Sequence, residues 1–140
     1  MSPSDFKFLG YLVPEISLEI KDMYFGDLSA KNELSINVEQ NFSKEQNRFV
    51  EVVLRIKIAT QDNNLKINMM IKGGFEANKD MSDEIFKQLY TVNAPAILFP
   101  YARAVISTCT AQAGIPQVLL PLVNFTPIKQ QETIEAKEVN

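Results

Sequence analysis

From Val50 to Ile58 every even-numbered position is Val, Val, Leu, Ile or Ile, and the odd positions between them include Glu51, Arg55 and Lys57. A period of two sends successive side chains to opposite faces, so this run is a strand with one dry and one wet side, placed at Phe49–Thr60. Leu65, Ile67, Met69 and Ile71 repeat the pattern against Lys66, Asn68, Met70 and Lys72. Only the polar stretch Gln61–Asn64 separates the two runs, which predicts a hairpin whose second strand ends at Gly73 and Gly74. A sheet with one apolar face needs cover on that face.

Two further strands precede the hairpin. Leu34, Ile36 and Val38 alternate with Ser35 and Asn37, giving a strand that runs on toward Phe42. Before the turn-rich Lys21–Asn32, the stretch Phe6–Ile20 places Ile16, Leu18 and Ile20 against Glu15, Ser17 and Glu19. Gly10 and Pro14 interrupt it, and because Pro has no N–H to give to a ladder, this strand belongs at a sheet edge or carries a bulge. Such an edge is also a candidate for pairing with another chain.

The period then changes. Ser82 is placed as an N-cap with Asp83 and Glu84 in the first turn, and Ile85, Phe86 and Leu89 recur at helical spacing, so a short helix is expected from about Asp83 to Val92. Asn93 and Pro95 are expected to break it. A second helix carries Leu98, Ala102, Val105, Ile106, Cys109 and Ala113 on one stripe, with Gly114 past its end and Pro100 in its first turn or at a kink. Val118–Phe125 reads as an extended segment packed on the body. The expected architecture is a single α+β domain over residues 1–125, a four-stranded antiparallel sheet followed by two helices, with a polar, mobile tail over 126–140.

Composition narrows the chemistry. The 140 residues include no His and one Cys, which removes Ser-His-Asp triads, Cys-His dyads, imidazole zinc sites and intrachain disulfides. Fourteen Lys plus Arg against seventeen Asp plus Glu give a charge of −3, with no basic stripe for nucleic acid. Gly73 and Gly74 follow a strand without either phosphate-binding glycine pattern, the carboxylates lie in polar surroundings, and Cys109 sits on an apolar stripe as a small core residue. The expectation is a protein that is not an enzyme and needs no cofactor or metal. Met1–Gly10 lacks a basic start and an apolar run, and no stretch approaches about 20 uninterrupted apolar residues, so a cytoplasmic address without membrane insertion is expected. One resource is in surplus. Phe6, Phe8, Tyr11, Phe75, Phe86 and Tyr101 are among more large apolar residues than one sheet and two helices hide, which points to self-assembly, to an apolar ligand groove, or to both.

The run Asn93-Ala-Pro-Ala-Ile-Leu-Phe-Pro-Tyr-Ala-Arg103, then Val105-Ile-Ser107, then Gly114-Ile-Pro-Gln-Val-Leu-Leu-Pro-Leu-Val-Asn-Phe125 resembles the signature of the SecB protein-export chaperone family. Glu15-Ile-Ser-Leu-Glu19, the strand Val50–Ile58 and the Gly-Gly pair agree with it. The resemblance implies an ATP-independent holdase, a homotetramer built as a dimer of dimers, with hydrophobic grooves that bind unfolded precursor proteins for delivery to the SecA motor. It also implies roles for particular residues. Glu15, Glu19 and Ile67 fall on the acidic motor-docking patch, where Met69 stands at a further position that is acidic in the best-known members. Phe75, Leu98, Tyr101 and Val105 fall on the client groove. Family branches also include chaperones dedicated to the antitoxin of a toxin-antitoxin pair, and a small-ligand carrier using the same groove is a third reading. The family's C-terminal apolar helix has no counterpart in Thr126-Pro-Ile-Lys-Gln-Gln-Glu132.

Overall fold

The structure, a computed structural model, describes residues 5–22, 32–45, 47–125 and 133–139. Most of the Lys21–Asn32 connector and positions 126–132 and 140 of the expected tail lie outside them. Four strands follow in chain order, β1 (Phe6–Ile20), β2 (Asn32–Phe42), β3 (Phe49–Thr60) and β4 (Leu65–Ala77). After them come the helix α1 (Asp83–Gln88), a π-helical turn at Leu89–Asn93, the helix α2 (Ala94–Gln112) and a fifth strand, β5 (Thr133–Val139). All neighbours are antiparallel, in the order β1-β4-β3-β2-β5.

The hairpin forms where the alternation places it. Val50, Val52, Leu54, Ile56 and Ile58 of β3 and Leu65, Ile67, Met69 and Ile71 of β4 are all buried on one face. Its turn is fixed locally: Asn63 takes a left-handed conformation at φ 58, and the Thr60 hydroxyl donates to Asp62 at 2.7 Å while accepting from the Leu65 N–H at 3.1 Å. That hydroxyl, with the backbone N–H of Asn64, holds the Asp62 carboxyl below the ordinary aspartate range.

β1 is an edge strand, as its Gly and Pro require, and its register slips between Phe8 and Gly10 and again between Leu12 and Glu15. Gly10 has φ 126, a backbone conformation that side-chain-bearing residues rarely adopt.

Three expectations are corrected. Gly73 and Gly74 do not end β4, which runs on to Ala77. A Cβ at Gly73 would lie 2.5 Å from Leu98 Cδ2 of α2, so glycine is what lets the helix press onto the sheet, and Gly74 lies beside Phe49 and Leu9 on the other face. The helices are not separated at Asn93 and Pro95. Pro95 has no N–H for the Thr91 carbonyl and its ring crowds that turn, and the chain continues by widening the ladder, the Ala94 N–H bonding back to Leu89 at a five-residue spacing. Pro100 accordingly lies inside α2. Finally, Thr133–Val139 of the expected tail forms β5, a segment with three β-branched residues that pairs along β2 from Asn32 to Asn37.

The core fills the space between the sheet's inner face and the helical arm. Phe75, Leu98, Ala102 and Ile106 are fully buried there, joined by Phe86 and Leu89. The segment 115–125 then lies extended against α2 with Ile115, Val118, Leu120 and Phe125 buried. Thr110 fastens it. Its buried hydroxyl donates to the Ile106 carbonyl at 2.9 Å and accepts the Val118 N–H at 2.9 Å, while Arg103 Nε donates to the Leu120 carbonyl at 3.0 Å.

Candidate functional site

The double slip in β1 decides what the molecule shows to solvent. On the helix side of the sheet, Phe6 and Phe8 stack on buried Phe75 at 5.3 and 5.2 Å, Phe8 meets Tyr101 at 5.6 Å, and Tyr11 meets Tyr101 at 4.5 Å. An aromatic wall therefore climbs from the core to the surface between β1 and α2, and at its top Tyr101 is 39% exposed. Of the other exposed apolar residues of β1, Ile16 lies on the helix side opposite Met69, whereas Leu12 stands opposite Lys72 and Leu9 beside Gly74 on the outer face; on the extended segment Leu119 is exposed and Leu122 is 86% exposed. At the other end of the helical arm, exposed Phe42 packs edge-on against Tyr90 at 5.0 Å, and Ile85 of α1 is also exposed.

Of the expected groove residues, Tyr101 is exposed, Val105 is half-buried, and Phe75 and Leu98 are buried core. Phe75 is still tied to the surface, because Phe8 bridges it to Tyr101. Leu98 is not, since it is closed over by Gly73. Leu9, Leu12, Ile16, Leu119 and Leu122 did not stand out in the sequence. Ile16 belongs to the apolar side of the β1 alternation, and it is exposed because β1 is the sheet edge.

The expected acidic patch divides between the two faces of the sheet. Glu15, Ser17 and Glu19 of β1 stand opposite Met70, Asn68 and Lys66 of β4, whereas Ile16 and Leu18 stand opposite Met69 and Ile67. Directly paired residues share a face. Glu15 and Glu19 are thus exposed together on the outer face, while Ile67 and Met69 are buried in the core and cannot join them. The neighbours they do have include cations. Across β4 and β3 the same face carries Lys66, Lys57, Arg55 and Lys72, with Arg55 bonded to Glu39 at 3.1 Å and Lys72 near Glu51 at 3.8 Å. The second slip of β1 also opens a hollow of 650 Å³ on this side, whose lining includes Pro14, Glu15, Arg55, Lys57, Asn68 and Met70.

Among the described residues no three His, Cys, Asp or Glu side chains gather as a metal site, Cys109 is a half-buried free thiol, and no helix is long and apolar enough to cross a membrane.

The fold and this surface define an α+β protein whose accessible resource is apolar and aromatic: a long edge strand and a nearly uncharged helix framing an open strip. Comparison with known proteins gives that class its family. The family described as preprotein translocase subunit SecB matches residues 3–136, and the chain belongs to it. An uncharacterized protein of Methanocaldococcus jannaschii is 32% identical over 139 residues, covering 96% of this chain and 88% of that one. The protein-export protein SecB of Dichelobacter nodosus is 29% identical over 139 residues, covering 85% and 87%. Among solved structures, the SecB-like chaperone Rv1957 of Mycobacterium tuberculosis, in complex with a peptide from the antitoxin HigA1, superposes with a TM-score of 0.73 at 10% identity. That match covers 86% of this chain and 92% of the other, and it shows the shared fold.

Proposed function

We propose that this chain is an ATP-independent holdase that binds unfolded polypeptides on its exposed apolar strip. The observation that carries the reading is exposed apolar surface, Tyr11, Ile16 and Tyr101 on the helix side of the sheet with Leu122 on the segment after α2, left in solvent outside the buried core. Each client side chain covered there contributes roughly 1.5 to 3 kcal/mol without directional demands, so many sequences qualify if they are extended and apolar. The aromatic wall adapts by ring tilt and the polar backbone of the client stays solvated at the rim. No bond is made or broken.

Assembly as a homotetramer, a dimer of dimers in the cytoplasm, belongs to the same proposal. α2 carries one charge, Arg103, in nineteen residues, and a helix apolar nearly all round calls for cover on more than one side. Copies packed through α2 and the β1 edge hide part of the strip and leave the remainder as grooves. The test is aggregation of a chemically unfolded precursor after dilution, without nucleotide. Suppression at equimolar tetramer supports the proposal, and unchanged light scattering at excess contradicts it.

Delivery to the SecA motor is the finer step, with Glu15 and Glu19 as the docking carboxylates. A second reading, a chaperone dedicated to an antitoxin, is favoured by the cations that share their face, because Lys57, Lys66 and Arg55 weaken any field built to attract a basic partner. Titration with purified SecA separates the two. Binding that is lost in Glu15→Lys and Glu19→Lys supports export, and its absence in the parent leaves the dedicated role.

A further inference from the structure

The core-facing positions of β1 change parity twice. Phe6 and Phe8 pack on the core, then Tyr11 meets Tyr101 and Val13 packs on the core, and then Ile16 stands opposite buried Met69 while Leu18 and Ile20 pack on the core. Each change coincides with a slip of register against β4, the first between Phe8 and Gly10 and the second between Leu12 and Glu15. One residue of slip moves every later side chain to the opposite face, so the second slip undoes the first and only the window between them is reversed. An unbroken strand would do otherwise. Phe6, Phe8, Leu12, Ile16, Leu18 and Ile20 form a single even-numbered apolar row, which a regular pleat would turn inward with Leu12 on the helix side and Tyr11 outside. In the structure Leu12 stands opposite Lys72 on the outer face, and Tyr11 stands opposite Gly73 on the helix side with its ring 4.5 Å from that of Tyr101.

We propose that the two bulges of β1 form a positioning device for client binding, in which Gly10 is the positioning residue that turns Tyr11 onto the client side of the sheet and Leu12 away from it. The inference rests on the holdase reading and adds to it the residues that aim the contact. Gly10 makes the first bulge possible. Its φ of 126 is strained for any L side chain, yet a Cβ there would meet nothing within 4 Å, so glycine is required by backbone conformation and not by space. Pro14, with no N–H to lose from the ladder, sits in the second. Blunting the sheet edge does not account for the pair, because Pro14 by itself withholds a donor from any neighbouring strand. What the pair changes is which side chain meets Tyr101. Leucine there would add one more aliphatic contact, whereas tyrosine brings a rigid ring with a hydroxyl tip. Tyr11 and Tyr101, both exposed, thus form the solvent end of the aromatic wall that starts at Phe75 and passes through Phe8.

The experiment measures the affinity of the full chain for a polypeptide variant that stays unfolded, with the melting temperature and the nuclear Overhauser contact between the Tyr11 and Tyr101 rings read on the same samples. Leu12 is 57% exposed against 43% for Tyr11, so a surface that merely collects exposed apolar area ranks Leu12 first. The device ranks them the other way. Tyr11→Ala is expected to weaken binding about tenfold and Leu12→Ala by less than about twofold. Exchanging the two, Tyr11→Leu with Leu12→Tyr, keeps the composition and is expected to weaken binding about fivefold. Gly10→Ala is expected to lose the ring contact and to weaken binding about tenfold, and Gly10→D-Ala, made by peptide ligation, to restore both, because a D residue favours positive φ. A loss in Leu12→Ala that equals or exceeds that in Tyr11→Ala, or an exchange variant that binds as the parent does, overturns the device and leaves the holdase reading standing. So does a Gly10→Ala protein that keeps the parent's ring contact and affinity, or a D-Ala protein that restores neither. If Gly10→Ala does not fold, the exchange variant decides. A parent protein that binds no unfolded polypeptide overturns the holdase reading and the device together.

Discussion

Two residues show how much of this fold depends on close contacts around the helical arm. Gly73 lets α2 settle on the sheet, and Leu98, its neighbour, is fully buried with little room to turn away. Gly73→Ala is expected to destabilise the chain by about 1 to 3 kcal/mol through overpacking, read as a lower urea midpoint at unchanged slope, although the same change in an open strand position is mildly stabilising. Arg48 works from the other end. Its guanidinium donates twice to the Met81 carbonyl, once to Asp83 at 2.7 Å, and lies 5.1 Å over the Phe86 ring. The side chain of Arg48 is 14% exposed and that of Asp83 is 91% exposed, so the two ends of the ion pair are unequal. Arg48→Ala is expected to cost about 1 to 3 kcal/mol because the partly buried Met81 carbonyl loses both of its donors. Asp83→Ala is expected to cost under about 1 kcal/mol, a difference that thermal melts of the two variants resolve.

At the scale of elements, the strands were legible and the helical arm only partly so. β3 coincides with its expected bounds because Val50–Ile58 leaves one possible face for the core, and β1 coincides because Gly10 and Pro14 announce an edge with bulges. α2 ends where Gly114 places its end, but Asn93 and Pro95 do not break the helical arm, because the π turn at Leu89–Asn93 absorbs Pro95. The site was legible by type more than by depth. Tyr101 reaches solvent but Leu98, three residues earlier, does not, and nothing in the order of residues tells the two apart until β4 is laid against the helix. Where Ile67 lies relative to Glu15 and Glu19 is a matter of register. Which residues join Glu15 and Glu19 is set by strand-to-strand register, and one residue of slip moves every side chain to the opposite face. The extended segment 115–125 supplies its own test. Thr110→Val removes the acceptor of the buried Val118 N–H and is expected to cost about 1 to 3 kcal/mol, with amide exchange in that segment rising before the sheet unfolds.

Over the whole molecule, the fold leaves apolar surface outside its own core. Tyr11, Ile16 and Tyr101 are exposed on the helix side of β1, and Leu119 and Leu122 are exposed on the segment that follows α2. Introducing a charge at an exposed aromatic position, Tyr101→Asp, is expected to weaken client binding by roughly tenfold, about 1.4 kcal/mol, while leaving the melting temperature within a few degrees, since Tyr101 is 39% exposed. The most direct measurement is calorimetric titration of the full-length protein, without nucleotide, with one polypeptide in two states: a variant that stays unfolded and its folded parent. The account predicts saturable binding of the unfolded form with a negative heat-capacity change, weakened by Tyr101→Asp, and no heat from the folded form. Equal binding of both forms, or none of the unfolded one at excess, would contradict it.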